Sequence, residues 1–131
     1  MSVENAIFQV GYLDRVPLGT PYPAIVHHVG RLVRGFPKDT ELIIDYTGVG
    51  RPVFDMFRHM SVYPTGVLIT NSQSETVENG VLHVGKIVLV GRLQSLLHAG
   101  RLKIQKDLPE AQTLVNVGFP GTVYGGWAFD V

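Results

Sequence analysis

The sequence predicts a mixed α/β domain, one sheet flanked by helices. Two observations carry that expectation. Short apolar runs of strand length alternate with longer stretches in which apolar residues recur every three or four positions. The stretch Glu41 to Phe57, ELIIDYTGVGRPVFDMF, then joins the two kinds of element through a glycine turn. Leu42-Ile43-Ile44 reads as a buried strand and Asp45 closes it. Thr47-Gly48-Val49-Gly50 turns the chain, and Pro52 opens a helix. Proline suits a first helical turn because its φ is already helical and its missing N–H has no partner there. Val53, Phe54, Phe57 and Met60 form the apolar face of that helix. Sites in open α/β sheets gather at the carboxyl ends of strands, which makes Asp45 the leading candidate.

The remaining elements follow in order. Ala6 to Leu13 carries β-branched and aromatic residues and reads as a strand. Val16 to Pro21 holds two prolines and a glycine and reads as a loop. Tyr22-Pro23 starts a helix whose stripe is Ile25, Val26, Val29, Leu32, Val33 and Phe36, and Gly35 and Pro37 end it. Pro64 stops the helix that follows Asp45. Gly66 to Thr70 is a second buried strand, and Asn71 to Gly80 is polar and reads as a mobile loop. Val81 to Val84 is a short strand. Lys86 to His98 is a helix with Val90, Leu93, Leu96 and Leu97 inward. Leu102 to Gln105 is a strand, and Leu108-Pro109-Glu110 begins a last helix carrying Ala111, Leu114 and Val115. Residues 118–131 form a glycine-rich, aromatic tail.

At 131 residues the chain suits a single domain over residues 1–131. Hydrophobic residues make up 45% and charged residues 17%, which favours a packed core over disorder. Acidic and basic residues balance at 11 each, so no chain-wide attraction draws the protein to nucleic acid. Cysteine is absent, which removes disulfides and thiolate metal sites. No apolar run is long enough to span a bilayer and no leader stands at the N-terminus, so the expectation is a cytoplasmic protein without membrane contact.

Asp45 has two roles open to it. It can ligate a divalent metal, or it can cap the strand end by accepting N–H groups of the next turn. Gly48, Gly50 and Arg51 are candidates for contact with phosphate or DNA, since amides at a helix start favour anions. The dinucleotide fingerprint is incomplete, because Val53 stands where a third glycine belongs, and no Walker lysine is present. His27 and His28 are adjacent and diverge around a helix, while His59, His83 and His98 are scattered, so no histidine metal motif emerges. Tyr124, Trp127 and Phe129 suit base stacking or the covering of apolar surface.

Several segments resemble the nuclease domain of phage large terminase subunits, which has an RNase H-like fold. They are Pro17-Leu18-Gly19-Thr20-Pro21-Tyr22-Pro23, Ile43-Ile44-Asp45-Tyr46-Thr47-Gly48-Val49-Gly50-Arg51-Pro52-Val53, and Leu93-Gln94-Ser95-Leu96-Leu97 with Gly100-Arg101-Leu102-Lys103-Ile104. The likeness spans roughly residues 10 to 116, and its most specific block is D-x-T-G-V-G-R-P. The resemblance implies DNA as substrate, Mg²⁺ or Mn²⁺ as cofactor, and Asp45 as one of several carboxylates around two ions. It also implies an earlier strand with a D-x-G aspartate and an acidic pair opening a late helix. Asp14 and Asp130 are poor matches to those places. A family V-P-K-x-D-L segment reads here Val84-Gly85-Lys86-Ile87-Val88-Leu89.

The expectation is therefore a truncated or degenerate terminase-like domain, an incomplete RNase H-like core that is inactive alone. The alternative is a non-catalytic module of phage origin that binds a protein or pairs with itself as a homodimer, because a sheet that lacks a neighbouring hairpin presents open edges.

Overall fold

The computed structural model describes residues 6–48, 50–111, 122–124 and 127–129. Along them run β1 (Phe8–Val10), α1 (Tyr22–Arg34), β2 (Ile43–Asp45), α2 (Gly50–His59), β3 (Thr65–Thr70), β4 (Glu75–Glu78), β5 (Val81–Gly85), α3 (Lys86–His98), β6 (Leu102–Gln105), β7 (Thr122–Tyr124) and β8 (Trp127–Phe129). The class is mixed α/β, as the alternation of patterns implied. The single sheet is not found. The strands divide into two four-stranded sheets, β2-β3-β5-β4 and β1-β6-β8-β7. These lie in two compact units: a central one, Val16–Val88, and a terminal one, Met1–Arg15 with Leu89–Val131.

In the central unit β2, β3 and β5 are parallel, and β4 runs antiparallel to β5 on the outer edge. Helix α2 connects β2 to its parallel neighbour β3, the crossover that such a pair requires. The core gathers Val26, Val53, Phe57 and Val62, with Val29, Val33, Leu42, Ile44, Met56 and Met60 packed around them. Helix α1 approaches closely at Gly30, where an added Cβ would come within 2.6 Å of the Met60 terminal methyl. Strand residues alternate faces. Ile44 joins the helix-facing core, so Ile43 and Asp45 point to the opposite face. Ile43, expected inside, is 59% exposed there.

The polar stretch Asn71–Gly80, expected as a mobile loop, contains β4 and a two-residue turn. Glu78 pairs with Val81 around Asn79 and Gly80, whose φ values are 53° and 77°. Two successive positive φ values define the type I′ hairpin turn, and Asn-Gly is its favoured pair. Between β3 and β4 the chain crosses the end of β5. A Cβ on Gly85 would lie 1.8 Å from the Ser72 carbonyl oxygen, and the Gly85 N–H donates to the Ser74 carbonyl at 3.1 Å. Glycine is the residue that lets the two backbones touch.

In the terminal unit β1 pairs in parallel with β6, Phe8 opposite Leu102. The Arg101 guanidinium donates to the Ala6 carbonyl at 2.8 Å, and the Phe8 N–H donates to the Arg101 carbonyl at 2.7 Å. Leu97, Leu102, Ile104 and Ala111 form its core, with Val10, Leu13, Leu93, Leu96 and Leu108 against them. Val90, expected inward on α3, is 40% exposed. The last helix expected through Leu114 and Val115 lies outside the described residues beyond Ala111, as does Asp130. Of the tail, only the backbones of β7 and β8 are described.

Candidate functional site

Asp45 is exposed at the carboxyl end of β2, as its place after the apolar run implied. Thr47, two residues on, organises it. The Thr47 backbone N–H donates to Asp45 Oδ1 at 2.9 Å. The Thr47 Oγ1 in turn accepts the Ile69 N–H of β3 at 3.0 Å. The hydroxyl stands where a β2 carbonyl would continue the ladder, so one side chain ties the acidic turn to the neighbouring strand. Hydrogen bonding from the Thr47 hydroxyl and then from its backbone N–H holds the Asp45 carboxyl below the ordinary carboxylate range, with slight burial opposing. Asp45 is thus anionic at neutral pH and oriented as an Asx-turn.

The register names its neighbours. Asp45 lies opposite Val67, Val67 opposite Leu82, and Leu82 opposite Val77. This row crosses the sheet on the face away from α2, and it is apolar beyond Asp45. A two-ion nuclease centre needs several carboxylates that converge on ions about 4 Å apart. Here the strand beside Asp45 offers a valine. Among the described residues no group of three His, Asp or Glu side chains is placed to hold a metal ion. Among the described residues Asp45 therefore lacks the converging carboxylates that Mg²⁺ or Mn²⁺ favours, since such an ion gives up water only where several ligands meet. Asp14 belongs to the terminal unit, where the Tyr12 hydroxyl donates to it at 3.4 Å.

The two glycines of the turn stand in different surroundings. A Cβ on Gly48 would meet nothing within 4 Å. Gly50 has φ 64°, a conformation that favours glycine, and its N–H is directed at the Tyr46 carbonyl at 3.4 Å. Arg51 is exposed and has no hydrogen-bond or ion-pair partner among the described residues. It does not pair with Asp55. That carboxylate faces Arg58 at 4.0 Å instead, one helical turn further on. Arg51 and Arg58 line the same small cavity.

The bond from the Thr47 N–H is the strand-end capping role that the sequence left open to Asp45. The tie from the Thr47 hydroxyl to Ile69, and Arg58 on the same face of α2 as Arg51, are what sequence reasoning passed over, although arginines seven apart on a helix share a face. His27 and His28 line a hollow along α1 with Arg31, on another element from Asp45. No protein-family model, curated protein or solved structure matches this chain. No helix among the described residues is long and apolar enough to cross a membrane.

Proposed function

We propose that the chain is a terminase-nuclease-like domain that retains one acidic position of the catalytic set, Asp45, and does not cleave DNA by itself. The observation that carries this reading is the row Asp45–Val67–Leu82–Val77. The strand–aspartate–turn–helix unit is of the kind that bears metal ligands in such nucleases. The strand next to it brings apolar side chains where further carboxylates are needed. A plasmid-nicking assay with Mn²⁺ and then Mg²⁺ tests it. Supercoiled DNA stays intact on this reading, and nicking that disappears in Asp45→Asn overturns it.

One observation favours a second role. Ile43 is 59% and Val77 71% exposed on that same face, at the two edge strands of the central sheet. Edge strands that carry exposed apolar side chains are templates for pairing. A homodimer joined through β2 accounts for Ile43, and Val77 marks the opposite edge at β4. Sedimentation equilibrium of the wild type and of Ile43→Lys reads this directly: a monomer in both removes the second role.

A further inference from the structure

Two arginines line the cavity between α2 and the β4–β5 turn. It encloses about 110 Å³ and is lined by Tyr46, Arg51, Phe54, Arg58, Asn79 and Gly80 among others, all within the central unit. We propose that it binds a compact oxyanion, a phosphate group, through the Arg51 and Arg58 guanidiniums.

Four features support the assignment. The floor is shaped by Gly66: a Cβ there would lie 2.7 Å from Phe54 Cζ, so the missing side chain lets the ring press onto β3. Tyr46 and Phe54 meet edge to face with centroids 5.0 Å apart and planes at 63°, which fixes both rings. One wall is the type I′ turn at Asn79-Gly80, held by the β4–β5 ladder. The charge is only weakly compensated among the described residues. Arg51 has no partner among the described residues. Among the described residues Arg58 meets only Asp55, at 4.0 Å, with both side chains about half exposed, at 53% and 50%. An ion pair of that kind is worth about 0–1 kcal/mol, so Arg58 is free to turn inward. Glu78, the acid nearest in sequence to the turn, faces His83 at 3.7 Å.

Size and chemistry then select the ligand. The volume is well under the roughly 300 Å³ at which pockets for drug-sized molecules begin, so a base or sugar stays outside. Two planar guanidinium forks match the oxygens of phosphate, with charge-assisted bonds about twice as strong as neutral ones. The cavity lies on the α2 face of the sheet and Asp45 on the other, so this site stands whether or not the nuclease-like reading does.

The test is an amide-resolved NMR titration of the full chain with inorganic phosphate, chloride being exchanged to keep ionic strength constant. Saturable shifts at Arg51, Arg58, Gly66 and Gly80 are expected. They weaken about tenfold or more in Arg51→Gln and in Arg58→Gln, the loss of one charged hydrogen-bonding partner, while Asp45→Asn leaves them unchanged. Arg51→Lys, which keeps the charge and loses the fork, gives an intermediate affinity and guards against a folding artefact. A 5′-phosphorylated dinucleotide against its unphosphorylated form separates the sources. Tighter binding of the former assigns a nucleic-acid end, and equal affinity for inorganic phosphate assigns the free ion. Shifts that grow without saturating, or that are the same in Arg51→Gln and Arg58→Gln, overturn the proposal.

Discussion

Thr47 holds Asp45 by its backbone N–H at 2.9 Å and, through its hydroxyl oxygen, takes the Ile69 N–H at 3.0 Å. The acidic turn is therefore a structural joint between β2 and β3 as well as the candidate site. Thr47→Val removes the acceptor of the Ile69 N–H and one donor to Asp45. It is expected to cost about 1 kcal/mol by chemical denaturation, with Thr47→Ser close to wild type.

The Asp45 carboxyl is held below its ordinary value by those bonds. A depressed folded-state pKa gives stability that is fully present above the unfolded value, near 4, and lost as pH falls through the folded value. Unfolding titrations between about pH 5 and pH 2 are expected to fall less steeply in Asp45→Asn than in wild type. Because Asp45 is exposed, solvent screening keeps the difference small, under about 1 kcal/mol. Equal slopes in the two proteins contradict the bonded, ionised carboxylate.

Gly85 allows the β3–β4 connection to cross β5, since a Cβ would stand 1.8 Å from the Ser72 carbonyl oxygen. Backbone on both sides cannot yield cheaply. Gly85→Ala is expected to lose about 2 kcal/mol or more, at the upper end of overpacking costs. A thermal midpoint within a degree of wild type contradicts the crossing.

Phe57 is buried in the central core and Ile104 in the terminal one, at 3% and 2% exposure. Phe57→Ala is expected to cost about 3–5 kcal/mol and Ile104→Ala about 2–5 kcal/mol. Hydrogen exchange read residue by residue checks where each loss falls: Phe57→Ala is expected to speed exchange in β3 and β5, and Ile104→Ala in β1 and β6.

The helices were legible because each carries its own pattern. Pro23 and Gly35 bracket α1, and α3 runs from Lys86 to His98 as its spacing implied. Val90 was misjudged because α3 is apolar on more than one side, with Ile87 also exposed, so spacing alone did not choose the buried face. β4 was missed although Asn79-Gly80 between Thr76-Val77-Glu78 and Val81-Leu82-His83 is a hairpin signal; the charged and polar residues around it outweighed the turn chemistry. Two sheets were not legible. The pairing of Phe8 with Leu102 is a long-range choice between strands of similar composition, and no local pattern encodes it. At the site, the place of Asp45 was legible from the strand and turn. Its apolar neighbour Val67 was not, because register depends on how β2 and β3 align.

The most direct measurement is a calorimetric titration of the full chain with Mn²⁺ and Mg²⁺, with Asp45→Asn as the control. Among the described residues no further carboxylate converges on Asp45 beside Val67 and Leu82, so heat indistinguishable from the mutant's is expected for both ions. A saturable heat that vanishes in Asp45→Asn would contradict the account and place a working metal centre at the end of β2.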